Sequence, residues 1–507
     1  MRLKGARSRC WHHGWVLSDL NCERLASKFA DHDYTVDTVV QLVGQEAHRA
    51  LGRNSTVPAV RALAGRSDPL ALLTSVWVLQ QPVPRPAFDR VLPGLVDPLI
   101  AAGILRQSAG EVAAALEIRP YASDDGASGW LVSDLSPHLD TRITPMRPDF
   151  VLGASSASTA LAQLTIRRPI GRALDLGTGC GVQTLHLAPH ADTVIATDLN
   201  PRALHLAALT AKINSIEVDL RLGDLFSPVA GETFDLIVSN PPYVITPPQT
   251  EAERLTYREA DRLGDGLVRD VVQSGAARLA PGGVLQALAN WAHVNNTGWQ
   301  ERLQTWTAET GCDAHLVQRE TLDPSEYIEL WLADAGLAGS PGYVQRHHEW
   351  LDYFEQIGIH AVGMGWIVLQ RNERADPEIR IEDWPYPVEQ PIGAAFSHGL
   401  SVIDLGRSPD SELLAHPWRL EPDVIEETQG TPGAAHPASI VFRQRHGFRR
   451  ALQADTALAA ILGACDGDLD LRTIIATVAG ILGLNVDALS DAILPTIRQC
   501  VRDGFLL

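Results

Sequence analysis

The sequence predicts an α/β protein. At its centre lies a doubly wound, mainly parallel sheet of seven strands, with mainly helical, winged-helix-like domains before and after it. Three observations predict this. From about residue 146 to 372, short apolar runs alternate with amphipathic helical stretches, the pattern of a parallel sheet covered by helices. The first run, "RALDL", passes directly into a glycine-rich turn and then a helix. On both sides of this core the apolar spacing becomes helical.

The elements follow in order. Residues 17–145 form the N-terminal domain. Helices are expected at 36–48, 57–64, 69–79 and 86–102, with Pro58, Pro69 and Pro86 near helix starts, where proline is tolerated. "VAAALEIRPYAS" and "WLVSDL", joined by "DDGASG", read as a hairpin. Helices followed by a hairpin suggest a winged helix; a plain helical cap on the next domain is the competing reading. Core strands are expected at 172–176, 193–198, 218–222, 234–239, 283–289, 314–319 and 365–370. Residues 373–438 are rich in proline, glycine and acids and read as a long connector, packed through Trp384, Tyr386 and Trp418. Residues 439–507 read as a small domain of three amphipathic helices with a short strand after Gly504, again winged-helix-like.

Bulk composition narrows the class. The chain has 507 residues, 45% hydrophobic and 20% charged, which fits a globular protein of two to four domains. No apolar run reaches membrane-spanning length. "MRLKGARSRCWHHGW" lacks the apolar centre of a signal peptide, so a cytoplasmic location is expected. The six cysteines form no Cys-x-x-Cys pair, and the pairs His12-His13 and His347-His348 have no partners at ligand spacing. No metal site is expected. The net charge of −19 works against binding nucleic acid through the overall field, although a local basic patch would still serve.

The chemistry concentrates at three strand ends. Asp175 precedes Gly177-Thr178-Gly179-Cys180-Gly181, an Asp-x-Gly-x-Gly-x-Gly turn. Glycines there let a ligand approach the backbone. The spacing is not the dinucleotide fingerprint, and no Lys-Ser/Thr of a phosphate loop follows. The next strand ends at Asp198, where a carboxylate can accept from both hydroxyls of a ribose, with Leu199 placed to flank a base. A helix N-cap is the bland alternative for Asp198. The third strand leads to Asp224 and Leu225, placed for an adenine amino group and its ring. The fourth ends in Asn240-Pro241-Pro242-Tyr243. Two prolines cannot extend a central strand, so the run stops and presents an amide, a rigid turn and an aromatic ring.

With "DLGTGCG", "ATDLNPRAL", "GDLF" and "NPPY" in order, residues 146–372 resemble class I S-adenosylmethionine-dependent methyltransferases. The closer likeness is to the methyltransferase small domain group, which includes release-factor glutamine methyltransferases and RNA or DNA base-amino methyltransferases. The resemblance implies a Rossmann-like core and S-adenosyl-L-methionine as cofactor. The cofactor would be held by Asp175, Gly177, Thr178, Gly179, Gly181, Asp198, Leu199, Asp224, Leu225 and Asn240. It also implies N-methylation of a planar NH2 group. Asn240 and the Pro241 carbonyl would accept from that NH2, Pro242 would lock the turn, and Tyr243 would stack on the substrate. Cys180 is expected to pack in the loop and not to act as a nucleophile. Members of the group place substrate contacts before the first strand, which here makes Arg147, Asp149 and Phe150 candidates. "PMRPDF" departs from the group's Pro-Arg-Pro-Glu-Thr.

The reading favoured for the substrate is an exocyclic base amine in RNA. Tyr243, the flanking domains and the basic stretch "FRQRHGFRR" (442–450) support it. The alternative is the side-chain amide of a protein glutamine, such as one in a translation release factor, which suits the acidic balance better. An inactive binding module and a small-molecule enzyme rank lower. No membrane partner is expected.

Overall fold

The computed structural model describes residues 17–137, 139–141, 146–248, 263–372, 374–433 and 437–507. Cys10, His12 and His13 lie outside these residues, as does the start of the stretch after Asn-Pro-Pro-Tyr.

The central sheet has eight strands, one more than expected. They are β1 (Ile170–Leu176), β2 (Ala191–Asp198), β3 (Asp219–Leu222), β4 (Phe234–Ser239), β5 (Leu279–Val294), β6 (Cys312–Leu322), β7 (Ile359–Arg371) and β8 (Ile379–Asp383). Their order is β8-β6-β7-β5-β4-β1-β2-β3. Strands β3, β2, β1, β4 and β5 run parallel; β7 is antiparallel to both β5 and β6, and β8 is parallel to β6. Strands buried on both faces read as apolar runs, which is why most of the first seven were legible; β3, DLRL at the sheet edge, is half polar and not buried. The order reverses at β1 and β4, where crossovers diverge to opposite sides and leave a crevice beyond the strand ends.

The expected N-terminal helices are present, with two corrections, and a further helix, Asp19–Asp31, precedes them unanticipated. The 36–48 helix splits at Gly44, whose φ is +87, into Val36–Val43 and Gln45–Leu51. The 86–102 helix splits into Arg85–Val91 and Val96–Ala101, with Pro93 and Gly94 (φ +70) between. Proline cannot continue the first helix, and the glycine takes a left-handed conformation. The predicted hairpin is also repartitioned. Val83–Pro84, Glu111–Ala114 and Leu105–Ser108 form a three-stranded sheet in that order, following helix Pro69–Trp77 and enclosing the two later helices. This α-β-α-α-β-β succession is winged-helix-like. Glu117–Ala122 and Ser128–Ser133 form a separate hairpin. It docks on the core helix Pro201–Ile213: Val132 N donates to Thr210 Oγ1 at 3.0 Å, and Asn214 exchanges bonds with the Trp130 backbone at 2.9 and 2.7 Å.

The connector is more ordered than its composition suggests. It supplies β8 and three helices, Gly393–Ser401, Ile403–Arg407 and Asp410–Ala415. The C-terminal helices Thr456–Gly463, Leu471–Leu482 and Val486–Asp503 match expectation, but an antiparallel meander of Val424–Gln429, Ser439–Gln444 and Ala451–Ala454 precedes them. Arg419 and Leu420 bridge Asp466, between the first two of these helices, and Leu506, after Gly504, so the helices and bridges keep a winged-helix-like order behind the added meander.

A buried ionic cluster joins this domain to the sheet. Glu382 on β8 lies 2.6 Å from His315 Nε2 and accepts from Arg380 and Arg450 at 2.7 Å each; Arg380 also reaches Asp503 at 2.7 Å. The Arg450 guanidinium lies 4.5 Å from the Trp384 ring centre and 4.7 Å from that of Phe448. Burial alone would raise the Glu382 carboxyl. The His315 hydrogen bond and the charges of Arg380 and Arg450 hold it well below the ordinary range instead.

Candidate functional site

Beyond the carboxyl ends of β1, β2, β3 and β4 lies a cavity of about 410 Å3. The glycine turn forms one wall. Gly177 and Gly179 have φ of +78 and +56, and a Cβ added at either would meet no protein atom within 4 Å. They therefore face open space, a cradle that side chains would fill. Gly181 (φ +88) does not line the cavity; it caps helix Val182–Leu187 against Ala207 and Thr210.

Asp175 also stays out of the cavity, which corrects its expected role. It is fully buried behind the turn. Its Oδ2 accepts from Thr178 Oγ1 at 2.7 Å, Thr184 N at 2.9 Å and Thr184 Oγ1 at 2.8 Å. Burial pushes its carboxyl up from 3.8 to about 6, despite those bonds. A carboxyl raised on folding contributes most to stability below pH about 4, and that contribution is lost as pH rises through about 6. A carbon-13 titration of the Asp175 carboxyl should have its midpoint near 6; a midpoint near 3.8 would contradict the burial described.

Asp198 closes the next side. Its Oδ2 accepts from Gly179 N at 2.9 Å and its Oδ1 from Asn200 N at 2.8 Å, so it ties the turn to the end of β2 while each oxygen retains acceptor capacity. Burial raises its carboxyl above the ordinary value. The helix that follows is capped by Asn200, which accepts from Arg202 N at 2.9 Å. The bland N-cap reading of Asp198 therefore fails. Leu199, Asp224 and Leu225 line the same cavity, with Leu225 at φ +43.

Asn240, Pro241 and Pro242 complete the wall. Ser239 Oγ bonds Leu176 O at 2.9 Å and ties the end of β4 to that of β1. Asn240 Oδ1 is buried and has no hydrogen-bond partner among the described residues. An orphaned buried acceptor is costly, and such groups persist where they serve a ligand. Asn240 and Pro241 also belong to a second cavity of about 490 Å3 on the far side of the motif. Tyr243 lies in that second cavity only, its ring edge-on to Trp331 with centres 6.3 Å apart.

Of the upstream candidates, Phe150 is buried and lines the first cavity. Arg147 and Asp149 pair with each other at 2.7 Å on the surface and line neither cavity. Sequence reasoning did not single out Leu152, Ser155, Ser158, Gln183 or Leu267, all of which line the first cavity. The run of serines after Gly153, a capping box at Ser155 and Ser158, was the available signal. Cys180 is buried in the turn, and burial pushes its thiol up to about 12, away from nucleophilic reactivity. Among the described residues no cluster of His, Cys, Asp and Glu could hold a metal, and no helix is long and apolar enough to cross a membrane.

The basic stretch 442–450 is partly engaged. Arg443 pairs with Glu427 at 3.1 Å, Arg445 Nε donates to Asp423 O at 3.1 Å, and Arg450 is buried in the ionic cluster. It lies on a strand and turn and not on a helix, with Arg445 and Arg449 exposed.

Residues 154–306 match the methyltransferase small domain family, and this part of the chain is a class I S-adenosylmethionine-dependent methyltransferase domain. Residues 31–115 and 405–507 each match a domain of unknown function, DUF7059 and DUF7782 respectively. Over 149 residues the chain is 37% identical to the release factor glutamine methyltransferase of Deinococcus radiodurans, covering 26% of this chain and 53% of that one. Over 129 residues it is 39% identical to the ribosomal protein uL3 glutamine methyltransferase of Xanthomonas campestris pv. campestris, covering 23% and 41%. The chain spans about half the length of the curated relatives it matches. Among solved structures, the YcgJ protein of Bacillus subtilis is similar at 15% identity and a TM-score of 0.30, over 43% of this chain and 99% of that one.

Proposed function

We propose that the protein transfers a methyl group from S-adenosylmethionine to the side-chain amide nitrogen of a glutamine in a protein substrate. The observation that carries this reading is the orphaned Asn240 Oδ1, held at the wall between two cavities. The first cavity fits the cofactor: the Gly177 and Gly179 cradle leaves room, and Asp198 retains acceptor capacity for a ribose. When bound, the cofactor supplies an activated methyl group on a sulfonium.

The chain's own residues do the rest. Asn240 Oδ1 and the Pro241 carbonyl accept from the two amide hydrogens and aim the nitrogen across the wall. They also favour the positive charge that grows on the nitrogen as its carbonyl conjugation is lost. The proton leaves after the new bond forms, so no strong base is required beforehand. Pro242 fixes the turn, and Tyr243 lines the substrate side.

An RNA base amine presents a similar NH2, but two of the four arginines of 442–450, Arg443 and Arg450, are held by carboxylates, which weakens its electrostatic support. The relatives named above are both glutamine methyltransferases, which favours the amide. The test is methyl transfer from labelled cofactor into cell extract, followed by nuclease or protease. The expected label is resistant to nuclease and lost to protease; the reverse would overturn the amide reading.

Cofactor binding has its own check. Asp198→Ala removes an acceptor whose charged hydrogen bonds are worth about 1.5–3 kcal/mol. Calorimetry should show S-adenosylmethionine affinity weakened by roughly ten- to a hundredfold. Unchanged affinity would remove Asp198 from the site.

A further inference from the structure

The second cavity is larger than its task under that reading requires. At about 490 Å3 it is comparable to the first, of about 410 Å3, which must take an entire nucleoside joined to an amino acid. A glutamine side chain alone would leave most of it empty. Much of its remaining surface is apolar and aromatic: Tyr243, Leu330, Trp331, Met364 and Trp366 line it. Leu152 and Leu330 stand at its mouth, 39% and 45% exposed, although both are large hydrophobic residues. Exposed leucines beside an aromatic floor mark a contact surface.

Charge at the mouth selects among occupants. Among the described residues the cation in the lining is Arg319, and it is engaged. Its guanidinium donates to Trp384 O and to Tyr386 O, the latter at 2.8 Å, and lies 5.0 Å from the Trp366 ring centre. Glu320 and Asp334 add carboxylates to the same wall. Among the described residues a phosphate-bearing strand finds no free cation in this lining, and an apolar side chain finds the aromatic floor.

The geometry points to a substrate glutamine flanked by a bulky apolar residue, whose side chain fills the second cavity beside Tyr243 and Trp331. This rests on the glutamine reading above and narrows it to a class of sites. Leu330 and Met364 are the specificity residues: they touch the neighbouring side chain and leave the reacting amide to Asn240.

The experiment maps methylated glutamines by mass spectrometry after incubating the full-length protein and S-adenosylmethionine with cell extract. The residue beside each mapped glutamine is expected to be Leu, Ile, Met, Phe, Tyr or Trp. Synthetic peptides spanning a mapped site, with that neighbour kept or changed to glycine, give the selectivity. The apolar neighbour should raise kcat/KM roughly tenfold or more, mostly through KM. Leu330→Ser and Met364→Ala should each shrink that ratio. Mapped glutamines with glycine or charged neighbours on both sides, or equal kcat/KM for both peptides, would overturn the inference and leave the glutamine reading standing. Nuclease-sensitive label, or no methylglutamine at all, would remove the glutamine reading and this inference together.

Discussion

Asn240→Ala is expected to lower kcat for methyl transfer by about 10²–10³-fold, the loss typical when one preorganised hydrogen-bonding group is removed from a reacting centre. S-adenosylmethionine affinity should stay within a few-fold of the parent, because Gly177, Gly179 and Asp198 are untouched. The substitution also relieves an orphaned buried acceptor, so the melting temperature should hold or rise. Loss of activity with unchanged or improved stability is a signature that a merely structural Asn240 would not give. Near-normal turnover would rule out the proposed positioning of the amide.

Glu382→Ala carries the largest expected effect on stability. Glu382 is the shared acceptor for His315, Arg380 and Arg450. Removing one partner of a buried ion pair typically costs about 3–5 kcal/mol, and Asp503, which stays beside Arg380 and Arg450, holds the loss towards the lower end of that range. Chemical denaturation should register a loss of that order. The pH dependence has a definite sign. A carboxyl held below its ordinary 4.5 stabilises the fold above that pH, and the contribution disappears as pH falls through the depressed value. The gap between parent and variant should therefore be full at pH 7 and close in strong acid. A gap independent of pH would mean the cluster contributes packing alone.

The two features were unequally visible in the sequence. Asn240 could be found because Asn-Pro-Pro-Tyr follows an apolar run at the right distance after three other strand ends. The Glu382 cluster could not. "IRIED" places Arg380 and Glu382 on one side of a strand, and in isolation such residues read as solvated. Their partners lie some 65 to 125 residues away along the chain, as with Arg450 and Asp503. The same limit applies to Asp175. Its place in the glycine motif indicated proximity to the ligand but not which way it faced, and burial turned it to the back of the turn. The second cavity was invisible for a related reason: Leu152, Tyr243, Leu330 and Met364 meet only through the fold. Six strands were legible as apolar runs and β3 by its place in the alternation, while the eighth is half polar and sits among prolines.

That eighth strand also decides how the chain can be divided. Strand β6 runs for 11 residues, and β8 covers its outer side through five paired positions from Ala314 to Gln318. A chain ending after residue 372 would keep every motif of the methyltransferase core yet leave that backbone row without partners. Bare strand edges recruit other chains, so such a fragment would be prone to self-association. The segment that reads as a linker is thus a guard on solubility, and the catalytic core depends on sequence beyond its own motifs.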